Sequence, residues 1–149
     1  MTGVDRSHGL AGTLTPHGHL LPVRVYFEDT DFTGVVYHAR YLHFFERGRS
    51  DFLRLRGVNH TELGDGRYGE ALFFAVKSIA LDFHATARID DVLVVGTAIE
   101  GQKGARLLIR QTIARDDRII ASADVSVVLL NEAGRPRRMP DRLLHALLA

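Results

Sequence analysis

The sequence contains no cysteine. That excludes a disulfide framework, a thiolate metal site and a cysteine nucleophile. It also fits a reducing compartment, and a cytoplasmic location is the expectation. No apolar run approaches the ~20 residues needed to cross a bilayer, so no transmembrane segment is expected. The first residues lack the basic start and apolar core of a secretory leader. Charge of one sign is lacking too, since 19 Lys and Arg against 18 Asp and Glu leave a formal net charge of +1. No global field favours nucleic acid, although local basic clusters can still hold a small polyanion.

What is present suits one domain, because 149 residues can bury a core without staples. Residues 1–20 are interrupted by Gly, His, Thr and Pro and read as a flexible N-terminal tail, with residues 21–149 as the single domain. His17 and His19 lie in that tail with no carboxylate or thiol nearby in sequence, so they read as solvated rather than as ligands. Val23, Val25 and Phe27 alternate with Arg24 and Tyr26, which predicts a strand. A polar turn, Glu28 to Gly34, follows. From about Val36 the period changes. Leu42, Phe45, Gly48, Phe52 and Leu55 form an apolar stripe, with Arg47, Arg49, Asp51 and Arg54 between them. This predicts an amphipathic helix of about five turns, stopping at Arg56-Gly57.

Asn59 to Gly69 reads as a loop. Four strand-like segments follow: Leu72 to Phe83, Val92 to Ile99, Leu107 to Ala114 and Ile119 to Leu129. In the first of these the apolar parity switches near Lys77-Ser78, which marks a bulge or a strand buried on both faces. Short turns at Arg88–Asp91, Gly101–Gly104 and Asp116-Asp117 imply antiparallel neighbours. After a basic run at Arg135, Arg137 and Arg138, four leucines from Leu143 to Leu148 suggest a closing helix. The fold class is therefore α+β, with about five antiparallel strands curved around one long helix.

For chemistry, no Gly-x-Ser-x-Gly elbow appears, and a carboxylate is the remaining common nucleophile or base. Asp29 and Asp31 lie in the turn before the long helix, where either could equally cap a turn. No octahedral oxygen set accompanies them, so neither a metal nor another cofactor is expected.

The stretch Val23 to Arg49 resembles the signature of the YbgC-like acyl-CoA thioesterases, in the 4-hydroxybenzoyl-CoA thioesterase group. The carrying residues are Asp31-x-x-Gly34, then Val35-Val36-Tyr37-His38, then Tyr41-Leu-His-Phe-Phe-Glu46. The resemblance implies the hotdog fold, in which an antiparallel sheet wraps a central helix, and a homodimer or homotetramer with sites at subunit interfaces. It implies hydrolysis of a short-chain or aromatic acyl-CoA, or of an acyl carrier protein thioester. Asp31 would be nucleophile or general base, and the peptide N–H of His38, seven residues on, the oxyanion donor. The His38 side chain would help to position the thioester or a water.

Gly34, Tyr37 and Tyr41 are the expected neighbours of the acyl group. Glu46 is a second candidate base, and Lys103 and Arg106 are candidate cations for coenzyme A phosphates, as are Arg88 and the Arg135–Arg138 run. Phe32 and Thr33 replace the small residues or proline that many relatives carry after the aspartate, and Phe32 is expected to narrow or reshape the acyl pocket. A second expectation comes with the same family: YbgC-like proteins are associated with the Tol-Pal cell-envelope system and with phospholipid-synthesis enzymes, where the fold would serve as a scaffold with little turnover. A hotdog dehydratase is disfavoured because no His-x-x-x-x-Pro-type loop is present.

Overall fold

The structure, a computed structural model, describes residues 9–149. In chain order these form β1 (Thr13–Thr15), β2 (Gly18–Arg24), a single 3-10 turn (Phe27–Asp29), α1 (Arg40–Leu55), α2 (His60–Gly64), β3 (Leu72–Phe83), β4 (Val92–Lys103), β5 (Arg106–Arg115), β6 (Arg118–Asn131) and α3 (Asp141–Leu148). The strands make one sheet in the order β1-β2-β4-β5-β6-β3, and every neighbouring pair is antiparallel. The sheet thus has six strands, one more than the sequence pattern implies.

The core lies between α1 and one face of this sheet. On β5 the alternation puts Leu107, Ile109, Gln111 and Ile113 inside, and on β6 it puts Ala121, Ala123, Val125, Val127 and Leu129 inside. Helix α1 answers with Tyr41, Phe44, Phe45, Gly48 and Phe52. Full burial of each Phe contributes about 2–3 kcal/mol of transfer free energy. The apolar stripe read from the sequence is partly displaced: Leu42 and Leu55 face solvent, while Tyr41, Phe44 and Leu53 point inward. The helix also begins at Arg40 rather than near Val36, because Val35 and Val36 are drawn into β-bridges with Arg88 and Thr30.

Segment β3 matches its expected span, with a register shift between Val76 and Ser78, where the parity switches. Strand β4 runs past the expected turn to Lys103, absorbing it in a bulge between Ile99 and Gly101. Helix α2 occupies part of the expected loop and is capped by the Asn59 side chain, which accepts the Glu62 N–H at 2.8 Å.

The largest departure is at the N-terminus. Thr13–Leu20, expected within the flexible tail, is a hairpin paired along β4. His19 is buried against the Phe52 ring, and its Nε2 lies 2.6 Å from Asp51 Oδ2. The Gly12 N–H donates to the same oxygen at 2.8 Å. This explains why Asp51, assigned to the solvent face by periodicity, is buried: it pins the hairpin to the helix. Residues 1–8 of the expected tail, His8 included, lie outside the described residues.

Candidate active site

The turn between the 3-10 segment and α1 carries two carboxylates with different surroundings. Asp29 is buried. Its Oδ2 accepts the Tyr26 N–H at 2.8 Å, its carbonyl accepts the Tyr37 N–H at 2.9 Å, and Arg40 Nε sits 3.4 Å from Oδ1. Every polar atom of Asp29 is thus spent on holding the turn. Asp31 is exposed, and its carboxylate is held within its own loop. Oδ1 accepts the Thr33 hydroxyl at 2.6 Å and the Thr33 N–H at 2.8 Å. The loop closes through Asp31 N–H to Val35 O at 2.9 Å, and Gly34 N–H to Asp31 O at 3.0 Å. Gly34 sits at φ +84°, a left-handed conformation that favours glycine.

The Thr33 hydroxyl bond is the main cause that holds the Asp31 carboxyl below its ordinary pKa. The Thr33 N–H acts the same way; desolvation opposes both to a smaller extent, and the Val35 backbone and His38 lower the pKa by less again. The carboxylate is therefore ionised at neutral pH. It is flanked by exposed Phe27, Phe32 and Ile89, which with Thr30 and Gly34 line a shallow cleft. Phe32 is fully exposed and stands at the rim of this cleft.

His38 lies two residues before α1 and not in its first turn. Its neighbours are committed: the Tyr37 N–H donates to Asp29 O, and the Arg40 N–H to Tyr37 O at 2.8 Å. No backbone acceptor among the described residues takes the His38 N–H. No side chain among the described residues caps this helix end, whose N-cap is Ala39, so its positive dipole end is left open to them. The His38 ring packs against Tyr37 at 4.6 Å and edge-on to Phe83 at 6.3 Å.

Antiparallel sheet and central helix agree with what known proteins show. The thioesterase-like superfamily model matches residues 25–147. The acyl-CoA thioesterase YbgC of Haemophilus influenzae is 43% identical over 115 residues, 77% of this chain and 82% of that protein. This chain is a YbgC-like member of the thioesterase-like superfamily. The acyl-CoA thioester hydrolase YbgC of Escherichia coli O6:H1 is 36% identical, over 83% of this chain and 90% of its own. A probable thioesterase from Bartonella henselae, known as a crystal structure, superposes with a TM-score of 0.81 at 49% identity, covering 83% of this chain and 99% of that one. The YbgC-like chain thus has the hotdog fold and is by class a thioester hydrolase.

The fold gathers some of the expected site residues of this YbgC-like thioesterase and scatters others. Asp31, Gly34, Tyr37 and His38 share one loop and helix approach. Tyr41 is a core residue: burial raises its pKa, its ring packs on Phe44 and Phe83, and its hydroxyl meets the Ala87 backbone. Lys103 and Arg106 face each other across the β4–β5 turn. That turn lies roughly 35 Å of strand away from the start of β4, where the Asp31 loop is attached, so one chain does not bring them together. The cation beside the loop is Arg88, through its bridge to Val35 and its approach to Gly34. Glu46 sits farther along α1, where its carboxylate accepts the Ser50 hydroxyl at 2.6 Å. Sequence reasoning missed Thr33 as the anchor of Asp31 and Phe83 as the wall behind His38. The first is legible as an Asp-x-Thr loop motif; the second requires knowing that β3 ends beside α1.

Proposed function

We propose that the protein hydrolyses a short-chain or aromatic acyl-CoA, with Asp31 as the reacting carboxylate and the His38 N–H as oxyanion donor. The observation that carries this reading is the contrast between the two aspartates: Asp29 is consumed by structure, whereas Asp31 is ionised and exposed, in the same loop and helix approach as the His38 N–H, which no backbone acceptor among the described residues takes. Two routes are open to this carboxylate: activation of a water, and direct attack on the thioester. In the second route a carboxylate oxygen bonds to the thioester carbon, the carbon–sulfur bond breaks and coenzyme A leaves as thiolate. Water then cleaves the mixed anhydride, releasing the acid and restoring Asp31. A positioned N–H at the developing oxyanion lowers the barrier by about 3 kcal/mol.

The reading includes a homo-oligomer. A carboxylate this open needs a drier environment to act, and exposed Phe27, Phe32 and Ile89 around it are a surface suited to burial. Among the described residues, strand β3 also ends the sheet with an unpaired edge, bearing exposed Phe73, Val76 and Phe83. Sedimentation or light scattering reads the assembly directly.

A panel of acyl-CoAs with a thiol reagent tests the activity. Turnover of at least one substrate, lost by ~10²-fold or more in Asp31→Asn, is expected. Rapid mixing that shows thiol release ahead of acid release separates direct attack from water activation. Silence of the wild type across the panel, or full activity of Asp31→Asn, overturns the proposal.

A further inference from the structure

A second cavity lies under the other half of α1. Glu46, Arg49, Ser50 and Leu53, at helical steps of three and four, present one stripe of the helix to it. Its floor is Phe74, Ile99, Leu107, Ile109 and Val127, and His60 of α2 stands at its mouth. Asp31 does not line it. The cavity measures about 130 Å³. An apolar cavity of about 150 Å³ is large enough to hold benzene.

The polar groups at the mouth are ordered by a chain of bonds. Ser50 donates its hydroxyl to Glu46 Oε1 at 2.6 Å, so His60 Nε2, 3.1 Å from the same Oγ, carries the proton of that contact. Glu46 keeps its second oxygen for something else. Arg49 is half-buried and leans on a neutral partner: its Nη1 donates to Gln111 Oε1 at 2.9 Å. Gln111 cannot turn away, because its amide NH₂ is spent on Phe45 O and Thr97 Oγ1, both at 2.9 Å. One guanidinium with free donors and one carboxylate with a free acceptor therefore share an opening above a hydrocarbon floor.

We propose that this cavity binds a neutral ligand with a hydrocarbon body no larger than one six-membered ring and a hydroxyl at its outer end. A hydroxyl both accepts and donates, so it takes a bond from Arg49 and gives one to Glu46. A carboxylate gains Arg49 but is repelled by Glu46, and a bare hydrocarbon makes a bond to neither the guanidinium nor the carboxylate. The proposal makes no use of Asp31 and stands apart from the thioesterase reading.

Calorimetric titration of the full-length protein with benzyl alcohol, toluene and benzoate tests it. Benzyl alcohol is expected to bind once per chain, about tenfold or more tighter than either other probe. Glu46→Gln is expected to remove most of the penalty on benzoate. Ile109→Phe, filling the floor, and Val76→Trp, filling from the rim where the fold is less at risk, are both expected to abolish binding. Asp31→Asn is expected to bind benzyl alcohol as the wild type does. Benzoate binding as tightly as benzyl alcohol to the wild type overturns the proposal. So does benzyl alcohol binding that survives a folded filling variant, or no benzyl alcohol binding at all.

Discussion

Gly48 sits where α1 crosses the middle of the sheet, and replacing it with alanine sets two known effects against each other. Exchange of glycine for alanine inside a helix stabilises by about 1 kcal/mol, through backbone entropy. Here, however, a Cβ would land 2.7 Å from Val95 Cγ1, 3.0 Å from Thr97 Oγ1 and 3.2 Å from Gln111 Nε2. Carbon contacts settle near 3.5–4.0 Å, so helix or sheet must give by about 0.8 Å. Neither side is soft. Val95 and Gln111 are fully buried, and Gln111 is fixed by its bonds to Phe45 and Thr97. Overpacking of this kind costs about 1–3 kcal/mol, and stretching either Gln111 bond adds up to ~1 kcal/mol.

The clash should outweigh the propensity gain, leaving Gly48→Ala about 1–2 kcal/mol less stable. For a chain of this length that is a drop in Tm of about 3–8 °C. Urea and thermal unfolding followed by circular dichroism, at one fixed protein concentration, read it, with exposed Arg47→Ala as the control within ~0.5 kcal/mol of wild type. A Gly48→Ala protein as stable as the wild type would refute the claim that the helix rests directly on the sheet at this point.

Three further outcomes follow from the contacts. Asp29→Asn should lose about 1–2 kcal/mol of stability in urea unfolding, whereas Asp31→Asn should melt with the wild type; equal losses would mean the two carboxylates are not divided as described. Activity that needs ionised Asp31 should be flat above an acid limb lying below the ordinary carboxylate range and fall as pH drops through it. Thr33→Val removes the main cause of the lowered pKa and should move that limb to higher pH in kcat/KM profiles; an unmoved limb assigns the titration to another group. His19→Leu should cost about 2–4 kcal/mol because Asp51 keeps only the Gly12 N–H and a long contact to Arg54, and His19→Leu/Asp51→Leu should recover part of it; strictly additive losses would deny the pairing.

Periodicity located the strands well where burial was one-sided. The parity switch at Lys77-Ser78 corresponds to a real register shift, and β6 alternates from Ala123 to Leu129. It failed where tertiary contacts overrode local preference. Nothing near His19 or Gly12 in sequence announces that both meet Asp51, 32 and 39 residues away. The early residues therefore looked like a tail and Asp51 like a surface charge. The start of α1 was misjudged for a related reason: Val35 and Val36 continue an apolar pattern but are taken by bridges to Arg88 and Thr30. The aspartates were legible as a pair, but which one carries structure depends on Tyr26, Tyr37 and Arg40 closing around Asp29, and spacing alone does not decide that.

The self-contained loop of residue 31 has a practical corollary. Its carboxylate is held only from within that loop, by Thr33 and the Val35 backbone, so the rest of the scaffold has no stake in it. A chemically silent protein that keeps every other contact should then be obtainable by one amide-for-acid exchange. Such a protein would hold an uncleaved thioester long enough for crystallography to record which acyl groups it accepts.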